Sequence, residues 1–140
     1  MKFWDTSALV PIVIREPSSS VVRVLYQQDQ AIVAWWGTRV EVVSALALAL
    51  RRGSLRQDAL TRALRRARRM LAAGTTIAPS ATIRDRAERL LLTHELRAGD
   101  ALQLASALIA VQERPQGVGF VSLDRRLRDA AGREGFTVYP

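Results

Sequence analysis

The chain has 140 residues with 49% hydrophobic content, which predicts a single domain, residues 1–140, with a substantial core. It has no cysteine and one histidine, which excludes disulfides, thiolate zinc sites, histidine metal clusters and a cysteine nucleophile. The formal charge of +8 favours a polyanionic partner, above all nucleic acid, and the lack of a signal segment or a membrane-length apolar run makes us expect a cytoplasmic protein.

Strands and helices alternate along the chain. Its first half predicts a strand at about residues 2–5, a helix opening near 7, a helix at 18–28, a strand at 31–35 and helices at 38–52 and 55–73. Its second half predicts an extended segment at 75–79, helices at 82–95 and 98–112, a strand at 120–122, a helix at 125–131 and a strand at 136–139. This order is typical of a parallel sheet with helices on both faces.

Two predicted helix starts have the spacing of a capping box, in which a hydroxyl side chain and a later acid or amide bond to free backbone groups. One is Thr38 with Glu41, and the other is Ser54 with Gln57. Gly53 is expected to end the first of these helices in a left-handed conformation.

Four of the thirteen acidic residues lie inside apolar runs: Asp5, Glu41, Asp100 and Asp124. A buried carboxylate without a partner tends to take up a proton, and a divalent cation reverses that preference. Parallel sheets bind ligands beyond the carboxyl ends of their strands, where Asp5 and Asp124 are predicted to lie. Oxygen ligands select hard cations, and a few carboxylates completed by water and a substrate phosphate suit Mg²⁺ best, with Mn²⁺ also possible.

Each of these acids also has a local explanation. Glu41 completes a capping box, and Asp100 stabilises the first turn of its helix through the macrodipole by roughly 0.3–1 kcal/mol. Asp5 and Asp124 are suitable turn residues after strands. Four such acids together nevertheless favour one shared cation site.

Several other residues allow two interpretations. Adjacent Trp35 and Trp36 point to opposite sides of a strand, so one is expected in the core and the other at a partner or dimer contact. The apolar run from Val40 to Leu50 suggests a helix buried on more than one side. His94, beside Glu95 in a polar helix end, is expected at the surface.

Arginines crowd one face of the helix predicted at 55–73. They are either a solvated surface or a contact for RNA phosphates, which arginine binds well because its planar fork makes two hydrogen bonds. The arginines of this face are Arg62, Arg65, Arg66, Arg68 and Arg69.

The four acids and their surroundings resemble the PIN-domain ribonucleases, and most closely the VapC toxins of bacterial toxin–antitoxin pairs. The resemblance covers essentially the whole chain, and the motifs that carry it are residues 5–9 (DTSAL), 39–46 (RVEVVSAL), 96–105 (LRAGDALQLA) and 122–124 (SLD). Ser122 stands where threonine is commoner in the family, and Gln103 occupies a position that varies; neither departure removes a carboxylate.

The resemblance implies a three-layer α/β/α fold with a parallel sheet of about five strands, and Asp5, Glu41, Asp100 and Asp124 as the acidic cluster. It also implies a type II toxin that cleaves RNA as a magnesium-dependent endoribonuclease, a homodimer, and a cognate VapB-type antitoxin that covers the site. Carboxylates of this kind hold Mg²⁺ ions that activate water and neutralise charge on the phosphate.

The acids are expected to divide these tasks. Asp5 and Asp100 are the main metal ligands, Asp124 is a further ligand or a contact to metal-bound water, and Glu41 is a ligand or orients the attacking water. Ser7 is a candidate for fixing the geometry around the cation. Metal binding is expected to weaken at low pH because the acids must lose their protons.

Two other classes of function remain open. One is a catalytically silent RNA-binding or interaction module with the same fold, in which the acids are structural. The other is a domain that accepts a phosphoryl group on aspartate, which generally needs a nearby lysine; the only lysine here is Lys2. The sequence does not identify which RNA is the substrate.

Overall fold

Five strands and seven helices alternate along the computed structural model, which describes residues 1–140. The predicted strands and helices are all present, with boundaries that differ by no more than two residues. The strands are β1 (Lys2–Trp4), β2 (Ile32–Trp35), β3 (Thr75–Ile77), β4 (Gly119–Val121) and β5 (Thr137–Tyr139). The helices are α1 (Thr6–Val13), α2 (Ser19–Gln28), α3 (Thr38–Arg51), α4 (Gln57–Ala73), α5 (Ala81–Thr93), α6 (Ala98–Ala110) and α7 (Arg125–Arg133).

The five strands form one parallel sheet in the order β3-β2-β1-β4-β5. β1 lies at the centre, with Phe3 in register with Val33 on one side and with Phe120 on the other. The chain builds outward from β1 in both directions, so a crevice opens beyond the carboxyl ends of β1 and β4. Open α/β sheets bind their ligands at such a switch point.

Helices cover both faces of the sheet, which confirms the predicted three-layer α/β/α fold. The side chains of successive β1 residues lie on opposite faces of the sheet, because side chains alternate along a strand. Phe3 belongs to the core under α5, α6 and α7, and stacks on Phe120 with 5.4 Å between ring centroids. Trp4 belongs to the core under α1, α2, α3 and α4. The central strand is thus buried on both sides, as its apolar sequence indicates.

Neither predicted capping box forms. The N-cap of α3 is Gly37, and Thr38 is already inside the helix, with its hydroxyl group bonded to the side chain of Gln103. α4 begins only at Gln57, and the Ser54 hydroxyl donates instead to the carbonyl of Ala49. Each hydroxyl group therefore bonds to a partner outside its predicted capping box, and the spacing of the capping box does not reveal that partner. The predicted left-handed Gly53 is confirmed, with φ of 75°.

The prediction that α3 is buried on several sides is wrong for this chain alone. Val42 and Leu46 are buried, one turn apart, while Val40 is 67% exposed and Val43 is exposed as well. The two neighbouring tryptophans divide as predicted, since Trp35 is buried and Trp36 is 58% exposed. None of the seven helices combines the length and the apolar character needed to span a bilayer.

Candidate active site

One cleft at the carboxyl edge of the sheet collects all four of the predicted acids. Its volume is about 470 Å³. The sequence placed these acids up to 119 positions apart, and the parallel topology brings them together because β1 and β4 are neighbours. The residues that line the cleft are Asp5, Thr6, Ser7, Val10, Glu16, Glu41, Ala45, Asp100, Leu123 and Asp124.

Each of the four acids lies at the start of a helix. Asp5 is the N-cap of α1 and Asp124 the N-cap of α7, while Glu41 and Asp100 occupy the first turns of α3 and α6. The local roles that the sequence suggested for Asp5, Asp100 and Asp124 therefore coexist with a shared cleft. Positive helix N-termini oppose part of the repulsion between the carboxylates.

Asp5 is the most firmly held of these acids. Its side chain is 4% exposed. Its Oδ2 atom accepts three hydrogen bonds: from the Ser7 backbone N–H at 3.1 Å, the Ser7 hydroxyl at 2.5 Å and the Ser122 hydroxyl at 3.0 Å. No protein donor contacts Oδ1, so this oxygen is left for a ligand.

The same two serines connect Asp5 to the loop after β4. The backbone N–H of Leu123 donates to the Ser7 hydroxyl at 2.8 Å, and that of Asp124 donates to the Ser122 hydroxyl at 3.1 Å. Serine at position 122 therefore supplies the hydroxyl group that joins Asp5 to Asp124. The added methyl group of threonine is not needed for these contacts.

Glu41 is held by residues of two other helices. Its Oε2 atom accepts hydrogen bonds from the Thr6 hydroxyl at 2.6 Å and from the Gln103 amide at 2.7 Å. Gln103 is fully buried and lies one turn after Asp100 on α6. In the sequence, Gln103 stands at a position that varies in the family, and this role was not predicted. The available signal was an amide inside an apolar run, since a buried amide needs hydrogen-bond partners.

All four carboxylates keep an oxygen free of protein donors. Asp124 accepts from the Leu127 N–H through Oδ1 only, and the backbone N–H of Arg97 is the only protein donor beside the Asp100 carboxylate. Free carboxylate oxygens around one cleft are the donor set that a hard divalent cation requires. In their present positions, no three acidic or histidine side chains are placed to hold a metal ion together.

The pKa values of Asp5 and Asp100 are both raised. Burial raises the pKa of Asp5, although hydrogen bonds from Ser7 and Ser122 oppose the increase, and the charge of Glu41 adds to it. Burial also raises the pKa of Asp100, and the charges of Asp124 and Glu41 raise it further. Crowded carboxylates thus favour any cation that enters the cleft.

The degree of burial differs from the sequence-based expectation. Only Asp5 is buried; Glu41 and Asp100 are half-buried, and Asp124 is exposed. Asp5 directly follows the central strand β1, whereas two residues separate Asp124 from the end of β4.

Glu16 is a fifth acidic residue of the cleft, and the sequence did not predict it. It lies in the loop between α1 and α2 and is exposed, yet it lines the cleft with the four predicted acids. Its polar surroundings, Arg15 and Pro17, resemble an ordinary surface loop, so no sequence signal distinguished it. The loop begins where α1 ends at Val13 and places Glu16 at the cleft.

His94 lies outside the acidic cleft, and it is half-buried in a polar cluster rather than isolated at the surface. Its side chain is only 9% exposed, and Nε2 lies 2.7 Å from Oε1 of Glu134. Arg86 bonds the other oxygen of the same carboxylate at 2.6 Å. This polar cluster links α5 to the end of α7. The partner, 40 residues along the chain, could not be identified from the residues around His94.

The only lysine is far from the acids in the fold. Lys2 opens β1 at the amino edge of the sheet, and its Nζ lies 3.4 Å from Oδ2 of Asp29. Asp5 follows the opposite end of the same strand. A phosphoryl-accepting aspartate with a lysine beside it is therefore not present.

The sequence matches the model of one protein family, the PIN domain, over residues 2–133. It is 34% identical over 138 residues to Ribonuclease VapC45 of Mycobacterium tuberculosis (strain CDC 1551 / Oshkosh), an alignment that covers 99% of this chain and 94% of that protein. Ribonuclease VapC49 of Mycobacterium tuberculosis (strain ATCC 25618 / H37Rv) matches with the same identity and coverage.

Two solved structures share the fold. The sarcin-ricin loop cleaving toxin VapC20 of Mycobacterium tuberculosis superimposes with a TM-score of 0.68 at 16% identity, covering 98% of this chain and 97% of that chain. PAE2754 from Pyrobaculum aerophilum gives a TM-score of 0.66 at 16% identity, covering 98% of this chain and 87% of that chain. At such low identity these likenesses concern the fold alone.

Proposed function

The chain belongs to the PIN-domain family, as a ribonuclease of the VapC toxin type, and we propose that it is the toxin of a type II toxin–antitoxin pair. In this proposal, the chain hydrolyses RNA in a Mg²⁺-dependent reaction in the acidic cleft. The observation that carries this proposal is the shared cleft of Asp5, Glu41, Asp100 and Asp124, in which each carboxylate keeps a free oxygen.

Asp5, Asp100 and Asp124 are the proposed metal ligands. Asp5 is suited to this role because Oδ2 is fixed by three hydrogen bonds and Oδ1 is free. A bound Mg²⁺ supplies a more acidic water and neutralises charge on the scissile phosphate, and Mn²⁺ suits the same oxygen ligands. Ser7 and Ser122 act through Asp5 as positioning residues.

Glu41 is proposed to orient the attacking water and to accept its proton. Thr6 and Gln103 hold Oε2, which keeps the side chain in one orientation and leaves Oε1 without a protein donor. A carboxylate held in this way reaches the reacting water with little loss of conformational freedom. The oxygen of water bonds to phosphorus, the P–O bond to one ribose oxygen breaks, and that oxygen takes a proton from solvent, which gives a phosphate monoester and a hydroxyl group.

We also propose the partners that this family membership implies. They are an RNA substrate, a VapB-type antitoxin that masks the cleft, and a second copy of the chain in a homodimer in the cytoplasm. The net charge of +8 supports an RNA partner, because phosphate contacts dominate nucleic-acid affinity. Exposed Trp36, Val40 and Val43 at the start of α3 support self-association, since a second chain would cover apolar surface.

Cleavage of total cellular RNA tests the activity. Purified protein, freed of any antitoxin, is incubated with RNA in Mg²⁺ or in chelator, beside Asp5→Asn and Asp100→Asn variants. Glu88→Gln is the matched control, since Glu88 is exposed on α5 and outside the cleft. Discrete fragments from the parent and from Glu88→Gln, only in Mg²⁺, are the expected result.

The opposite result favours a catalytically silent RNA-binding module. In that case the parent protein binds RNA with strong salt dependence but produces no fragments in either condition, and both aspartate variants bind as the parent does. Equal cleavage by the parent and the aspartate variants would remove the acidic cleft from the mechanism.

A further inference from the structure

We propose that a second, cationic cleft beside the active site holds a phosphate of the RNA strand next to the scissile one, with Arg15 and Arg23 as the phosphate-binding residues. This inference rests on the proposed ribonuclease function and deepens it, because it assigns the path by which the strand reaches the acids. We call the region the α1–α2 cleft, and it is lined by Arg15, Glu16, Pro17, Ser19, Ser20 and Arg23.

The α1–α2 cleft adjoins the acidic cleft directly. It has a volume of about 700 Å³, and Glu16 lines both clefts. Glu16 therefore lies at the boundary of the two clefts, and a polymer bound in one cleft has the other directly beside it. None of the six lining residues is a large apolar side chain, whereas docking of a folded protein is anchored by buried aromatic and aliphatic groups.

The two arginines have no ionic partner within the protein. Neither forms an ion pair, in contrast to Arg86, which bonds both Glu113 and Glu134. Arg23 is half-buried, and its Nε is shielded from solvent without a hydrogen-bond acceptor. A partly desolvated guanidinium group without a counter-ion is unfavourable, and a phosphate in the cleft would supply the missing charge and accept from the guanidinium N–H groups that face it.

The backbone of the α1–α2 cleft is already ordered. The buried Ser19 hydroxyl accepts a hydrogen bond from the Glu16 N–H at 2.8 Å and donates to the carbonyl of Ile14 at 3.1 Å. The Ser19 N–H also donates to the carbonyl of Glu16 at 3.0 Å. These bonds fix the segment that carries Arg15, so binding a phosphate there requires little further ordering.

Charge explains why such a subsite is needed. The acidic cleft has five carboxylates, counting Glu16, and repels the phosphates on either side of the scissile bond. A cation held by Asp5 and Asp100 would offset that repulsion most for the phosphate it touches and less for the neighbouring ones. Two arginines against one glutamate leave the α1–α2 cleft net positive, which favours the neighbouring phosphate.

RNA binding without metal tests this assignment apart from catalysis. A fluorescein-labelled single-stranded RNA of mixed sequence is titrated with protein in chelator, and anisotropy gives Kd at several salt concentrations. Arg15→Ala and Arg23→Gln are each expected to raise Kd about tenfold, as for a lost charge-assisted hydrogen bond. Each is also expected to reduce the slope of log K against log salt by about 0.7, the value for one phosphate of a single strand.

Arg114→Ala is the matched control. Arg114 is exposed, makes no ion pair, and lies in the loop before β4, at the edge of the sheet opposite the acids. Its removal changes the net charge by the same amount as Arg15→Ala, and it is expected to leave Kd within about twofold of that of the parent and the salt slope unchanged. Arg23→Lys keeps the charge without the fork, so it is expected to recover only part of the affinity.

Cleavage kinetics give an independent readout in Mg²⁺. Arg15→Ala is expected to raise KM with little change in kcat, because a neighbouring phosphate is bound equally in the ground and transition states. The exposed Arg15 tests the proposal even where Arg23→Gln reduces the amount of folded protein. Thermal melting of each variant establishes that it is folded.

Two results would overturn the inference. The first is that Arg15→Ala and Arg23→Gln bind RNA with the Kd and salt slope of Arg114→Ala. The second is that they lose kcat at unchanged Kd and KM. Failure of the ribonuclease proposal is separable, because a parent protein that never cleaves RNA in Mg²⁺ can still show arginine-dependent binding in chelator.

Discussion

Gln103 donates a hydrogen bond from its buried side-chain amide to Oε2 of Glu41 at 2.7 Å and so connects α6 to α3. The same amide nitrogen lies 3.2 Å from the Thr38 hydroxyl and 3.1 Å from the Thr6 hydroxyl. Asp100, one turn earlier on α6, is thereby held in a constant position relative to Glu41. The cleft is maintained by a neutral residue as well as by its acids.

Gln103→Leu is expected to impair both stability and activity. Leucine has a similar volume but leaves the buried Thr38 hydroxyl without its partner, which costs about 1–3 kcal/mol of unfolding free energy. Glu41 also loses one of the two donors to Oε2, so kcat is expected to fall with KM nearly unchanged. Urea unfolding and RNA cleavage kinetics measure the two effects. A variant with the parent's kcat would show that Glu41 does not need this anchor.

Removal of the Ser122 hydroxyl group, which donates to Asp5, is expected to shift the acidic limb of the activity profile to higher pH. The hydrogen bonds from Ser7 and Ser122 lower the pKa of Asp5, which burial raises, so Ser122→Ala should raise that pKa further. The acidic limb of the cleavage profile, and of Mg²⁺ binding, then shifts to higher pH. Ser122→Thr keeps the hydroxyl and should retain the parent profile. An unchanged profile for Ser122→Ala would contradict this prediction.

Asp100→Asn is expected to abolish cleavage while stabilising the metal-free fold. Burial and the charges of Asp124 and Glu41 raise the pKa of Asp100. Because its folded-state pKa is raised, ionised Asp100 lowers the free energy of unfolding at pH values above that pKa. This destabilisation declines as pH falls through the folded-state pKa and is absent below the unfolded-state pKa. The amide removes the penalty at neutral pH, so the Tm in chelator should exceed that of the parent. Mg²⁺ should raise the Tm of the parent more than that of the variant.

Glu134 is expected to contribute stability that acid removes. Burial raises its pKa, but hydrogen bonds from His94 and Arg86 outweigh that effect, and the pKa lies below the ordinary value of 4.5. The contribution is complete above the unfolded-state pKa and is lost as pH falls through the lower folded-state value. Glu134→Gln should therefore lower the Tm at pH 7, with a smaller difference from the parent in strong acid. Thermal melts at both pH values measure this, and Glu88→Gln is the control.

Val40→Arg is expected to weaken self-association if a second copy covers the start of α3. Val40 is 67% exposed, and a charge there would be desolvated in an apolar interface. Sedimentation equilibrium of the antitoxin-free protein should show a dimer for the parent and a shift toward monomer for the variant. Arg114→Ala, far from α3, should leave the dimer intact. A monomeric parent would exclude this interface.

The residues alone determined the order of strands and helices, because apolar periodicity and glycine stops act over a few positions. They also determined the four acids and their family, since the motifs around Asp5 and Asp124 are local. The polar contacts were harder to predict. Thr38 and Ser54 have the right neighbours for capping, yet their hydroxyl groups bond to Gln103 and Ala49 instead.

Tertiary structure alone decided which side chains meet. The Glu16 loop reaches the acidic cleft, Arg23 is left without a partner, and His94 meets Glu134 across 40 positions of the chain. The physical reason is that hydrogen bonds and ion pairs depend on positions within a few ångströms in space, which the parallel sheet and its helices set. Spacing along the chain carries that information only within a single helix or turn.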